Sequence, residues 1–320
     1  MAVALLFPGQ ASQFPGMGKE LYEAYPPARE VFQEASDALS QDVAALCFRG
    51  TEEELRLTEN TQPAIFTVSV AAFRVLEAET GVRPAFAAGH SLGEYSALVA
   101  AGALPLRDAA RVLRSRGKYM QEAVPVGEGA MAAIIGLSAE DVEAACRKAS
   151  AYGVVSPANF NGGDQIVISG GAKAVATACE AAKAAGAKRA LPLPVSAPFH
   201  CALMLPAAER LSPELRAVPQ GAFRFPVVAN VTASPYGAGD AVADVLVRQI
   251  TAPVRWEESI RGMRESGATG FLEVGPGKVL SGLVRRIEKE IPVAAFCAPA
   301  ELPAVRAFLG GKFPLNGPPG

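Results

Sequence analysis

A chain of 320 residues, 50% hydrophobic and 19% charged, is long enough for about two domains and too apolar to be intrinsically disordered. Its formal net charge of −2, without a run of Lys and Arg, argues against a nucleic-acid surface that works by releasing counterions. Five cysteines, an odd number with no CxxC spacing, read as reduced thiols of a cytoplasmic protein and exclude a disulfide framework or zinc finger.

The first apolar run, 2–7, stops at Pro8 and follows no basic segment, so it reads as a strand and not as a signal peptide. Helical patterns follow at 18–39 and 63–79, then a short strand at 85–88 and helices at 92–101 and 106–124. Strands alternating with helices predict an α/β fold with a mainly parallel sheet. From 129 to 195 the order becomes strand 130–135, helix 139–150, strand 154–160, strand 165–169, helix 172–185 and strand 189–195, the β-α-β-β-α-β order of a ferredoxin-like unit. Asn161-Gly162-Gly163-Asp164 is its hairpin loop.

The uncharged stretch 190–208 contains Pro192, Pro194, Pro198 and Pro206, which break any spanning helix, so no membrane segment is expected. Beyond it the pattern predicts a helix at 202–211, a strand at 225–231, helices at 241–250 and 257–265, a strand at 270–274 and a helix at 278–289. The expected organisation is a discontinuous α/β core, 1–127 with 197–310, a ferredoxin-like subdomain at 128–196 inserted into it, and a flexible tail at 311–320.

Gly89-His90-Ser91-Leu92-Gly93 matches G-x-S-x-G directly between a predicted strand and a predicted helix, the setting in which a serine is projected from a tight turn as a nucleophile. A glycine-rich turn without chemistry is the plain alternative. An oxyanion formed at Ser91 would be stabilised by the N–H of Leu92, at the open end of the helix. Only two histidines are available as its base. His90 adjoins Ser91 on the turn, where neighbouring side chains diverge, which leaves His200. Cys201 reads as a packed thiol, and no carboxylate near a strand end stands out as a third member of a triad.

On the helix 106–124, Leu106, Ala109, Ala110, Leu113, Gly117 and Met120 share one face, and Arg116 falls on it. A guanidinium there needs a partner, either an internal carboxylate such as Glu94 or Glu273, or the carboxylate of an acyl substrate. Periodicity leaves the two equal. With two histidines, no HExxH and no phosphate-binding glycine motif, neither a metal site nor a prosthetic group is implied.

The blocks FPGQASQFPGMG (7–18), TQPA (61–64), GHSLGEYSAL (89–98), RSRGKYMQ (114–121), ANFNG (158–162), SAPFHCALM (196–204), QITAPVRW (249–256) and EVGPGKVL (273–280) resemble, in order, those of the malonyl-CoA:acyl carrier protein transacylase family. The resemblance implies a hydrolase-like α/β core with a ferredoxin-like insertion. It further implies malonyl transfer from a coenzyme A thioester to an acyl carrier protein through an ester on Ser91, with His200 as base and no cofactor. By the same resemblance Gln10 and Leu92 form the oxyanion hole, Arg116 binds the malonyl carboxylate, the main-chain carbonyl of Gln249 orients His200, and Phe199 favours malonyl over methylmalonyl groups.

A thioesterase on the same elbow and a non-catalytic carrier-binding protein are the rival readings. An acidic carrier protein would dock on a local basic patch, for which Lys188 with Arg189 and Arg285 with Arg286 are candidates beside the plain reading of a solvated face. A monomer is expected, since no exposed apolar repeat is evident.

Overall fold

In the computed structural model, which describes residues 1–195 and 197–311, the chain forms two sheets. Their strands are β1 (Val3–Phe7), β2 (Phe86–Gly89), β3 (Gly129–Ile135), β4 (Val155–Gly162), β5 (Gln165–Gly171), β6 (Arg189–Pro192), β7 (Val227–Val228), β8 (Gly270–Val274) and β9 (Val293–Phe296). Beyond Gly311, the tail expected at 311–320 lies outside the described residues.

The larger sheet has the order β7-β2-β1-β8-β9 with every pair parallel. β1 is central and covered on both faces, so all five of its residues, Val-Ala-Leu-Leu-Phe, are apolar and buried. Its last residue, Phe7, pairs with Gly89 at the end of β2, which sets the loop after β1 beside the turn after β2 at the carboxyl edge of the sheet. No helix among the described residues is long and apolar enough to cross a membrane.

The smaller sheet has the order β4-β5-β3-β6, all antiparallel, and the helices Ala139–Ala149 and Ala172–Ala184 pack on one face of it. This is the ferredoxin-like arrangement. On its other face Met131, Ala133 and Val167 join the main core. β4 of the smaller sheet is tied to the segment after the helix Val242–Thr251, where the Phe160 N–H donates to the Val254 carbonyl (2.9 Å) and the Val254 N–H to that of Ala158 (2.8 Å).

Several elements differ from the sequence pattern for identifiable reasons. The single helix expected at 18–39 is two, Lys19–Ala24 and Pro26–Leu39, because Tyr25 precedes a proline and is extended (φ −125°, ψ 125°). The helix expected at 63–79 starts earlier, at Thr58, and carries Pro63 near its start. The strand expected at 225–231 is only Val227–Val228, since Asn230 leaves the ladder to bond the turn after β2. The strand expected at 189–195 ends at Pro192. Helices Val43–Arg49, Glu52–Arg56 and Leu302–Leu309, and β9, carried no pattern strong enough to be read.

The helix Gly93–Ala100 lies unusually close to the sheet, and glycine permits it. A Cβ at Gly93 would lie 2.1 Å from the Phe7 carbonyl oxygen, and one at Gly89 would lie 1.9 Å from the Gly93 carbonyl. Both obstacles are backbone. Gly93→Ala is therefore expected to lower stability by about 3 kcal/mol or more, read as the urea unfolding midpoint against wild type.

Candidate active site

Ser91 sits on the turn between β2 and the helix Gly93–Ala100 with φ 54°, a left-handed conformation rarely adopted outside glycine. Its N–H donates to Asn230 Oδ1 (2.7 Å), and Asn230 Nδ2 donates to the Gly89 carbonyl (2.7 Å), so one side chain braces the turn from both sides. Such braced strain is characteristic of functional positions. Leu92 caps the helix, where no earlier turn supplies an acceptor for its N–H.

His200, also left-handed (φ 59°), reaches Ser91 from the loop after the small sheet. Its Nε2 lies 2.7 Å from Ser91 Oγ and its Nδ1 lies 2.9 Å from the Gln249 main-chain oxygen. A carbonyl can only accept, so Nδ1 carries the proton and Nε2 is the free acceptor aimed at the hydroxyl. Burial, helped by the charge of Arg116, pushes the imidazole down to about 3, which keeps it neutral.

Arg116 projects from the helix Leu106–Glu122 into the same site and is 1% exposed. It donates to Gln62 Oε1 (2.7 Å), Gln249 Oε1 (2.9 Å) and Ser91 Oγ (3.1 Å). A direct carboxylate partner, one of the two alternatives left open by periodicity, is not found among the described residues. Glu273 instead accepts the N–H groups of Leu280 and Ser281 at a helix start, while Glu94 is separated from Arg116 by the Gln249 amide. Burial lowers the guanidinium below its usual range, opposed by Tyr95 and Glu94, and its Nε–H has no acceptor among the described residues.

Beside this cluster lies a cleft of about 480 Å³ between the two sheets, lined by Gln10, His90, Asn161, Gln165, Lys278 and Arg286 among others. His90 turns away from Ser91. Its Nε2 lies 3.0 Å from Asn161 Oδ1, and its ring stands against Trp256. Phe199 is buried in the main core beside His200 in sequence.

Lys188, Arg189, Arg285 and Arg286 are all exposed. Arg286 donates to Gln165 Oε1 (2.9 Å) at the cleft, and its side chain packs over Gly163. Lys188 packs over Gly136, whose N–H donates to Asp164 in the same hairpin. Arg286 and Lys188 thus lie beside one hairpin, Arg286 at the cleft, while Arg285 turns to the Val293 carbonyl. Gln62, Asn230 and the side chain of Gln249 were missed as site residues, and Glu94 was named only as a possible direct partner of Arg116. Gln62 lay in the TQPA block and Glu94 in GHSLGEYSAL, but Asn230 carried no local signal.

Among the described residues no group of three or more His, Cys, Asp or Glu could hold a metal ion. The arrangement is suited instead to covalent chemistry on the serine, with a neutral base at 2.7 Å and a cation at the same oxygen. Enzymes that carry an acyl group on serine have these parts. Residues 4–302 match the family model described as the acyl transferase domain, and the chain belongs to that family, in the group of the malonyl-CoA:acyl carrier protein transacylases.

It is 51% identical over 301 residues to the malonyl CoA-acyl carrier protein transacylase of Escherichia coli (strain K12), covering 94% of this chain and 97% of that protein. The crystal structure of the acyl-carrier-protein-S-malonyltransferase from Bartonella henselae superposes with a TM-score of 0.93 at 49% identity, covering 97% of this chain and 100% of that one. A malonyl-transacylase solved in complex with its type II PKS acyl-carrier protein is equally similar, with a TM-score of 0.93 at 47% identity, covering 96% of this chain and 100% of that one.

The proton affinity of His90, partly buried against Trp256, and of buried His200, the two histidines of the chain, is lowered by loss of solvent. Below about pH 6.5 the unfolded chain binds protons there that the folded chain does not, so this part of the stability is complete above that pH and is lost as pH falls. Buried Glu94 and Glu273, whose proton affinity is raised, act in the opposite sense. The drop in urea midpoint between pH 7 and pH 5 is therefore expected to be smaller in His200→Gln than in wild type, which isolates the histidine contribution.

Proposed function

We propose that the chain transfers a malonyl group from coenzyme A to the phosphopantetheine thiol of an acyl carrier protein, through an ester on Ser91. The observation that carries this reading is the shared hydroxyl. Ser91 Oγ lies 2.7 Å from the free acceptor nitrogen of His200 and 3.1 Å from a buried guanidinium, so the nucleophile, its base and a site for a free acid meet at one atom.

His200 Nε2 takes the Ser91 proton as Oγ attacks the thioester carbonyl. The N–H groups of Gln10 and Leu92 receive the oxyanion, and the tetrahedral adduct collapses as coenzyme A leaves, its sulfur protonated by His200. Carrier thiol then repeats these steps on the ester in reverse, and free Ser91 is restored. The Gln249 carbonyl holds the imidazole in the required tautomer throughout. Arg116 exchanges its neutral acceptors for the malonyl carboxylate, which fixes the acyl group and selects a substrate with an acid end. Phe199 narrows the site in favour of malonyl over methylmalonyl.

The acyltransferase reading is favoured over hydrolysis by relatives that are named transacylases, and the carrier as acceptor by a neighbour solved with its acyl-carrier protein. We read residues 128–196 as a small inserted subdomain of a discontinuous core, 1–127 and 197–310. Lys188, Arg189, Arg285 and Arg286 are its docking surface for an acidic carrier. The enzyme acts as a monomer in the cytoplasm, in keeping with five free cysteines, and serves fatty acid or polyketide synthesis without a cofactor.

Intact-protein mass spectrometry after brief mixing with malonyl-CoA is expected to show one malonyl increment. It should be absent in Ser91→Ala and pass to added phosphopantetheinylated carrier. An increment lost to water at the same rate with or without carrier would establish a thioesterase instead. Arg116→Ala is expected to lower kcat/KM for malonyl-CoA by about a hundredfold, the scale of lost hydrogen bonds to a charged group. Reversing the four basic charges is expected to lower kcat/KM for the carrier by about tenfold while leaving acylation by malonyl-CoA intact.

A further inference from the structure

Arg116 is fully buried, yet its three acceptors, Gln62 Oε1, Gln249 Oε1 and Ser91 Oγ, are all neutral. A buried cation needs an opposite charge within reach. Two buried carboxylates are 0% exposed, and Glu273 is occupied at a helix start remote from Ser91 in the bonding pattern. Glu94 is the other. It stands one amide away from Arg116, because Gln249 accepts from the guanidinium through Oε1 and donates through Nε2 to Glu94 (2.8 Å) and to the Ser91 carbonyl (3.0 Å). The amide dipole thus has its negative end on the cation and its positive end on the carboxylate.

Glu94 also accepts from the Asn230 N–H (3.0 Å) and from the Tyr236 hydroxyl. Asn230 is the residue that braces the strained turn at Ser91. One carboxylate therefore anchors two of the residues that bond Ser91, Asn230 and Gln249.

We infer that Glu94 is the counter-charge of Arg116 and, through the Gln249 amide between them, a positioning residue that holds the guanidinium beside Ser91. This rests on the reading of Ser91 as nucleophile and Arg116 as the acid-binding cation. The donors Tyr236, Asn230 and Gln249 and the nearby guanidinium oppose the effect of burial on Glu94, and with Glu94 ionised the free site is balanced and His200 feels a partly compensated cation. Without that charge, Arg116 attracts a substrate carboxylate more strongly while weakening the base next to it.

Glu94→Gln separates charge from shape. Its amide oxygen can take the place of the carboxylate oxygen that accepts from Asn230 and Gln249, and its amide nitrogen can donate to Tyr236 Oη. Single-turnover acylation by malonyl-CoA, followed by intact mass alongside wild type, is the test. The expected result is full acylation stoichiometry with a maximal rate about tenfold lower and an apparent KM about threefold lower. Unchanged rate and KM would overturn the inference by showing Glu94 to be uncharged or a bystander. A loss of stoichiometry with an unchanged rate constant in the active fraction would overturn it in favour of a purely structural role.

Should Glu94→Gln not fold, Tyr236→Phe removes one donor from the carboxylate and is expected to shift rate and KM in the same directions by smaller factors. A wild-type rate and KM in that variant would overturn the inference as well. Failure of the wild type itself to be acylated by malonyl-CoA would instead refute the proposed function.

Discussion

A positive charge kept almost entirely from water, within hydrogen-bond distance of a serine hydroxyl, is the constraint around which this molecule is arranged. It requires neutral acceptors from three separated parts of the chain, Gln62, Ser91 and Gln249, and it adds to the burial that keeps the adjacent imidazole unprotonated. Each requirement fixes an element. Helix Thr58–Thr80 brings Gln62, helix Val242–Thr251 brings Gln249 with both its amide and its carbonyl, and the turn after β2 brings Ser91. The close approach of Gly89 to the backbone of Gly93, and of Gly93 to Phe7 of β1, sets the height of that turn.

The two sheets contribute unequally. The parallel sheet supplies the turn that carries Ser91, and the antiparallel one supplies a wall of the cleft through Asn161 and Gln165. Main-chain hydrogen bonds between β4 and Val254 tie that wall to the segment just after Gln249. The cleft wall at β4 is therefore linked by main-chain hydrogen bonds to the segment that follows the Gln249 carbonyl, the group bonded to His200 Nδ1.

What could be read in advance depended on how local its cause was. The β-α-β-β-α-β order was legible because each element has its own periodicity, and Ser91 was legible because glycines 89 and 93 mark a tight turn. His200 followed by elimination, and Arg116 by standing on an apolar face. The break at Tyr25 was missed although Pro26 and Pro27 announce it. Asn230 and the amide of Gln249 could not be recognised, since a polar residue next to an apolar run has no meaning until its partner, over a hundred residues away, is known. The carriers of charge could be found singly, but the amide between Glu94 and Arg116 could not.

Those long separations also bear on the order in which the chain is made. Ser91 depends on His200, Asn230 and Gln249, which follow it by 109, 139 and 158 residues, and β1 pairs with β8 only after residue 270 exists. Domains form from the amino terminus during synthesis at a pace of about 5–20 residues per second. A ribosome-bound chain that already displays the serine therefore lacks His200, the Asn230 brace and the β8 neighbour of its first strand. On the proposed role of Ser91, half-made copies leave thioester untouched, and reactivity at that hydroxyl arises only once the last third of the molecule has docked.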